Sequence, residues 1–267
     1  MPRVSVDDDV ELFVRDWGEG EPIVFLHGWP LSHRMYEQQF TDLVDRGYRC
    51  IGVDLRGYGQ SDKPWSEYSY DMFADDVRAV LDDLDVEDVT LVGFSMGGGI
   101  ATHYMSRHDG AHVERLALLA AASPCLTEKP DFPQGLDESE VNPLIDGARE
   151  DRPAMLSQFT DMLFHTEVSE ETKRWLEGIG GDASPQATIE SAKTFRDEDL
   201  RPDMADIDVP TLICHGVHDE ITPFEITAEV LHDGIADSEL VRFENSGHGL
   251  VTDETEKIND HLAEFAG

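Results

Sequence analysis

The stretch Val89-Thr90-Leu91-Val92-Gly93-Phe94-Ser95-Met96-Gly97-Gly98-Gly99 constrains the fold more than any other part of the chain. An apolar run ends in G-x-S-x-G and small residues follow. This is the sequence form of a buried strand that turns sharply into a helix, with a serine at the apex. Ser95 must then adopt a strained backbone conformation, and side chains at positions 93 and 97 would collide with the adjoining strand and helix. Such a turn exposes the hydroxyl, and the helix start presents unpaired N–H groups to developing negative charge. Five-residue patterns of this kind also arise by chance, so a glycine-rich turn with an incidental serine is the competing reading.

The flanking chain decides between the two. Val4-Ser5-Val6 and Val10 to Val14 surround Asp7-Asp8-Asp9 as an antiparallel hairpin would. Ile23-Val24-Phe25-Leu26, Cys50-Ile51-Gly52-Val53 and Leu116-Ala117-Leu118-Leu119-Ala120 are short, wholly apolar runs, as expected of strands buried on both faces. Between them Met35, Phe40, Leu43 and Val44 carry roughly helical spacing, and Phe73, Val77, Val80, Leu81 and Leu84 mark an amphipathic helix with acids on its outer face. This βαβα alternation predicts an α/β fold with a mostly parallel sheet and helices on both faces. It stops from about Ser123 to Asp206, where short helical segments carry Phe132, Met155, Phe159, Met162, Phe164, Trp175 and Phe195. It resumes at Thr211-Leu212-Ile213-Cys214 and Leu240-Val241-Arg242-Phe243, and the last helix holds Ile258, Leu262 and Phe265. Residues 1–122 and 207–267 therefore read as the core, and residues 123–206 as a helical cap over a site.

A serine nucleophile needs a base, and the base an orienting acid; in this kind of sheet the acid and then the histidine follow later strands. Asp219 follows the strand at 211–214, and His248 follows the strand at 240–243. Glu220 is the rival acid. His27, His215 and His218 are rival bases, but His215 ends a strand and His218 shares the acid's loop, so neither is placed to reach Ser95. Two backbone donors for an oxyanion are expected from Met96 and from the loop His27-Gly28-Trp29-Pro30, where Pro30 has no N–H and Trp29 becomes the donor. Pro30 also limits the conformations of Trp29 and so directs its carbonyl. Asp54 and Asp62 read as loop-shaping acids. Gly57-Tyr58-Gly59 lacks the third glycine of a dinucleotide fingerprint, and His103 and His108 lack zinc-helix spacing, so neither a cofactor nor a metal is expected.

With these residues in hand the chain resembles the α/β-hydrolase superfamily, and within it the cofactor-free (non-haem) haloperoxidases and aryl esterases. The resemblance is carried by His27 to Leu31, by Asp54-Leu55-Arg56-Gly57-Tyr58-Gly59-Gln60-Ser61-Asp62-Lys63-Pro64, by Gly93 to Gly99, and by His215-Gly216 through Asp219 with Pro223-Phe224-Glu225 beyond. It extends into the cap at Ala121-Ala122-Ser123-Pro124, Val168 to Thr172, Ala183-Ser184-Pro185 and Leu200-Arg201-Pro202-Asp203. It implies an eight-stranded sheet with the cap inserted after the sixth strand, and hydrolysis of small carboxylic esters through an acyl-enzyme on Ser95, His248 and Asp219. It also implies perhydrolysis, in which peroxide gives a peracid from the carboxylate. Pro30, Phe132, Phe159, Phe164 and Trp175 are the expected pocket residues, with packing inside the cap as the alternative for the four aromatic ones. A lactonase or carbon–carbon bond hydrolase would use the same triad; a non-catalytic hydrolase-like binding protein is the reading from another class, and its signature would be a lost triad member. The partner implied is a small-molecule ester or carboxylate, with a homo-oligomer as an open alternative.

Charge sets the conditions. The chain carries 57 acidic and 20 basic residues, a formal net charge of −37. The acids are scattered (Asp7-Asp8-Asp9, Asp75-Asp76, Asp82-Asp83, Asp253-Glu254), as on a solvated folded surface. No basic stripe exists to neutralise phosphates, which disfavours nucleic acid. No run is long and apolar enough for a membrane span, and Met1-Pro2-Arg3-Val4 has no leader-like character. Of the three cysteines, Cys50, Cys125 and Cys214, the first and last lie inside apolar strand-like runs and read as buried reduced thiols. The expectation is a cytoplasmic, halophilic protein, because such self-repulsion is muted where the Debye length falls to ~3 Å, near 1 M salt. Circular dichroism against KCl concentration tests this: structure should weaken in dilute buffer and recover with salt, whereas full folding and activity without added salt would contradict it.

Overall fold

The apolar runs become strands, and their burial accounts for their composition. The computed structural model describes residues 3–267; Met1 and Pro2, at the start of the segment read above as having no leader-like character, lie outside it. The strands are β1 (Arg3–Asp7), β2 (Val10–Trp17), β3 (Pro22–Leu26), β4 (Arg49–Val53), β5 (Val89–Phe94), β6 (Val113–Leu119), β7 (Thr211–Gly216) and β8 (Ser238–Phe243). They form one 8-stranded sheet in the order β1-β2-β4-β3-β5-β6-β7-β8. β2 runs antiparallel to both β1 and β4; every other neighbouring pair is parallel. β5 and β7 are buried along their whole length, whereas the edge strand β8 is mostly half-exposed. Continuous apolar sequence is what a strand covered by helices on both faces requires.

The helices are α1 (Glu37–Asp45), α2 (Tyr70–Leu84), α3 (Met96–Arg107), α4 (Glu138–Glu150), α5 (Arg152–Met162), α6 (Glu170–Gly181), α7 (Pro185–Asp197), α8 (Ala228–Gly234), α9 (Leu250–Asp253) and α10 (Thr255–Ala266). In α2 the Ser69 hydroxyl accepts from the Met72 N–H, and Phe73, Val77, Val80 and Leu81 are buried at the expected spacing. One acid departs from its outer face. Asp76 turns inward and takes a two-pronged bond from the Arg56 guanidinium, with side-chain exposures of only 2% and 8%. Burial pushes the Asp76 carboxyl up, even though Arg56 beside it pulls the other way.

At the surface, histidines stand where lysines are scarce. His103 lies between Asp203 and Asp71, 2.7 Å from each, and His112 between Asp82 and Glu87. Exposed pairs of this kind stabilise by only ~0–1 kcal/mol each, so they do not offset the self-repulsion of the whole chain. Among the described residues no helix is long and apolar enough to cross a membrane.

Strand order reverses between β3 and β5, since the chain steps from β3 to β4 on one side and to β5 on the other. Open α/β sheets bind ligands in the crevice beyond such a point. Leu26 pairs with Gly93 there, which brings the loop after β3 beside the turn after β5. Helices α4 to α7 all fall between β6 and β7 and are fastened down at several points: the Trp29 indole N–H donates to Thr188 O at 2.8 Å, Ser184 N–H to Gly57 O at 2.8 Å, and Gly249 N–H to Leu163 O at 2.6 Å.

His27 holds the loop after β3. It is fully buried; its Nδ1–H donates to Gly28 O at 2.9 Å and its Nε2 accepts from the Leu55 N–H at 3.0 Å. These bonds need the neutral ring. Burial lowers the imidazole from 6.5 to about 4, against the opposing pull of Asp54. Because the folded value is depressed, the unfolded chain binds the proton first. The contribution of His27 to stability is whole above pH 6.5 and declines as the pH falls toward 4, by ~1.4 kcal/mol per unit. His27→Asn removes this proton linkage. Urea denaturation at constant high salt should therefore show the stability gap between wild type and His27→Asn shrinking by ~2 kcal/mol between pH 6.5 and 5; a constant gap would contradict it.

Candidate active site

The turn after β5 has the form the glycines demand. Ser95 stands at φ 53° and ψ −118°, between the end of β5 and the first turn of α3. A Cβ on Gly93 would run into the Gly97 carbonyl oxygen, and one on Gly97 into that of Leu26. The Ser95 backbone is fixed on both sides: its N–H donates to Leu119 O at 3.0 Å, and its carbonyl accepts from Gly98, Gly99 and Ala122. Ser95 itself is 6% exposed, at the floor of a cavity.

Asp219 and His248, on the loops after β7 and β8, meet with Oδ2 and Nδ1 2.8 Å apart and both side chains fully buried. Asp219 is surrounded by donors. Oδ1 accepts from the Ile221 and Thr222 N–H groups at 2.9 Å each; Oδ2 also accepts from the Thr222 hydroxyl at 2.8 Å and lies 3.1 Å from His215 Nε2. Burial alone would raise this carboxyl, but the neighbouring His248 and the bonds from His215 and His248 hold it well below the usual carboxylate range. An ionised Asp219 places the His248 proton on Nδ1. That leaves the Nε2 lone pair free, and among the described residues Nε2 has no hydrogen-bond partner. The Phe94 ring packs on this imidazole, with centroids 4.9 Å apart. No hydrogen bond joins Ser95 Oγ to Nε2 here; such bonds often tighten only when substrate binds.

The other titratable candidates are engaged elsewhere. His27 is held by Gly28 and Leu55. His218 stacks on His165, with centroids 3.7 Å apart. Asp54 accepts from His33 and from the Gln60 N–H, and Asp62 from the Glu11 N–H, so both shape loops. Glu220 lies on the cavity wall and does not bond His248. His215, not expected to reach Ser95, gives its Nε2–H to Thr222 O at 2.7 Å and stands with that nitrogen 3.1 Å from Asp219 Oδ2. Thr222 was not anticipated; its hydroxyl lies 3.2 Å from His248 Nδ1. The one signal for either residue was closeness in sequence to Asp219.

Neither the Trp29 nor the Met96 N–H is spent on another group among the described residues. Both belong to the loops that meet at the strand-order reversal, where unpaired donors suit a developing oxyanion. The cavity holds about 230 Å³ and is walled mainly by apolar side chains, among them Leu126, Val141, Leu144, Phe159 and Phe195. Of the pocket residues expected from sequence, Phe159 faces it and packs edge-on against Trp29 at 5.0 Å. Four others do not line it, which corrects that expectation. Phe132 turns away beneath the Arg201 guanidinium, 5.0 Å from its ring centre. Trp175 lies under Arg34, Phe164 packs against Gly249 beside a separate small cavity, and Pro30 faces the Gly180 backbone. Among the described residues no group of three or more His, Cys, Asp or Glu is arranged to hold a metal.

Comparison with known proteins agrees with this architecture. Residues 21–255 match the family model described as alpha/beta hydrolase fold. The chain is 49% identical over 263 residues to the AB hydrolase superfamily protein YisY of Bacillus subtilis, covering 98% of each chain. It is 34% identical over 272 residues to the non-heme chloroperoxidase CPO-A1 of Kitasatospora aureofaciens, covering 99% of each. Among solved structures, the esterase EaEST from Exiguobacterium antarcticum superimposes with a TM-score of 0.96 at 44% identity, covering 99% of this chain and 98% of that one. The chain thus belongs to the α/β-hydrolase family, in the branch that holds the non-haem haloperoxidases.

Proposed function

We propose that this enzyme hydrolyses small carboxylic esters through an acyl-enzyme on Ser95 and performs perhydrolysis at the same site. The observation that carries the reading is the buried Asp219–His248 pair, whose Nε2 is left unpartnered while Ser95 is held at the cavity floor by its strained turn. His248 Nε2 takes the hydroxyl proton as Ser95 Oγ attacks the ester carbonyl. Asp219 keeps the Nδ1 proton in place and balances the imidazolium. The oxyanion forms between the Trp29 and Met96 N–H groups. Collapse expels the alcohol, which receives the proton from His248. Water, deprotonated by His248, then attacks the acyl carbon and releases the carboxylic acid and free Ser95.

Hydrogen peroxide in place of that water gives a peracid, which oxidises halide to hypohalite in solution and returns the carboxylic acid. The names of the chloroperoxidase and esterase relatives accord with this pair of outcomes. The Trp29 carbonyl, directed by Pro30, is the acceptor proposed for the second peroxide proton. Residues 123–206 act as the cap, residues 1–122 and 207–267 as the core that carries Ser95, Asp219 and His248, and the acidic surface suits a salt-rich cytoplasm.

The test is hydrolysis of 4-nitrophenyl acetate beside acetate- and peroxide-dependent bromination, at high KCl. Ser95→Ala should lose both by at least ~10⁴-fold, and retention of both would overturn the reading. Pro30→Leu should lower the ratio of perhydrolysis to hydrolysis; an unchanged ratio would remove the role given to the Trp29 carbonyl.

A further inference from the structure

We infer that the cavity beside Ser95 selects esters with uncharged or cationic acyl chains and turns away chains that carry a second carboxylate. This rests on the reading of Ser95 as the nucleophile and adds the substrate class. The wall is apolar over most of its area, and its charged members are two acids, Glu140 and Glu220, with no lysine or arginine beside them. They come from different elements. Glu140 lies exposed in the first turn of α4, where its Oε1 accepts from the Asp137 N–H at 3.1 Å as part of the helix cap. Glu220 lies on the loop after β7, whose backbone Asp219 pins through the Ile221 and Thr222 N–H groups.

A substrate carboxylate inside this cavity would meet repulsion from both walls and find no counter-cation. Both acids are exposed at the cavity edge, so each opposes such a group by roughly two- to fivefold in kcat/KM. A cationic chain would feel the same fields with the opposite sign. The net charge of −37 adds a long-range term of the same sign. Salt screens that term, with a Debye length of ~3 Å near 1 M, and weakens the two exposed acids as well, so the preference should fade as KCl rises.

The experiment compares three esters of equal chain length over a KCl series that starts at the lowest concentration at which the protein is folded: 4-nitrophenyl hexanoate, the mono-4-nitrophenyl ester of adipic acid, and 4-nitrophenyl 6-(trimethylammonio)hexanoate. Wild type, Glu220→Gln and Glu140→Gln/Glu220→Gln are tested, with circular dichroism as the folding control; glutamine at 140 can still complete the helix cap. The expected result is that, at the lowest KCl concentration, the hexanoate-to-adipate ratio of kcat/KM falls by at least ~3-fold in the double variant, while the preference for the cationic ester over hexanoate declines. A ratio that stays the same would show that burial of any charge, and not the two acids, sets the preference, and would overturn the inference. Equal rates on hexanoate and adipate in wild type would do the same. Failure of wild type to cleave hexanoate, or equal cleavage by Ser95→Ala, would instead overturn the nucleophile reading beneath it.

Discussion

Ser95 occupies a backbone region that costs a non-glycine residue ~1–3 kcal/mol, and the surrounding structure is what keeps it there. Four backbone hydrogen bonds converge on this one residue, from β6, from the first turn of α3 and from Ala122. At ~1 kcal/mol each they offset the strain without a large surplus. The close approaches at Gly93 and Gly97 leave no room for the turn to relax. Because β3 lies beside β5 and the strand order reverses between them, the same turn faces the Trp29 loop. The location of the site is therefore a consequence of sheet topology, and its shape of glycine placement.

The second constraint is electrostatic. A buried carboxylate without partners would be neutralised, yet Asp219 stays ionised because every lone pair it offers meets a donor. Thr222 donates to it as His248 does, and His215 lies against it at 3.1 Å. They surround the carboxylate that bonds His248, and under the proposed mechanism any effect they have on Ser95 passes through His248.

Much of the architecture was legible in the residues, for identifiable reasons. β3, β5 and β7 announce themselves because burial on both faces demands continuous apolar sequence, and α2 because one face alone is buried. Asp219 and His248 could be paired because each follows a strand that could be counted. The stretch between β6 and β7 is harder to read because its short helices pack against each other as well as over the cavity, so an aromatic residue there has two apolar destinations. Phe159 faces the cavity; Phe132, Phe164 and Trp175 went to other contacts. Asp76 looked like one more surface acid because nothing in its spacing reveals that Arg56 is waiting inside. His215 was weighed against Ser95 when its actual partner was Asp219, a contact set by how the loop after β7 folds back on itself.

The central claim is that Ser95 is the one activated nucleophile, and covalent capture tests it most directly. The folded protein at high KCl is treated with a small 4-nitrophenyl alkylphosphonate, which mimics the ester carbonyl but leaves a stable adduct, and is then digested and analysed by mass spectrometry. One equivalent of 4-nitrophenolate should be released, with the phosphonyl mass on the peptide that contains Ser95 and with no labelling of Ser95→Ala. An unlabelled wild type, or an adduct on any other residue, would contradict the account.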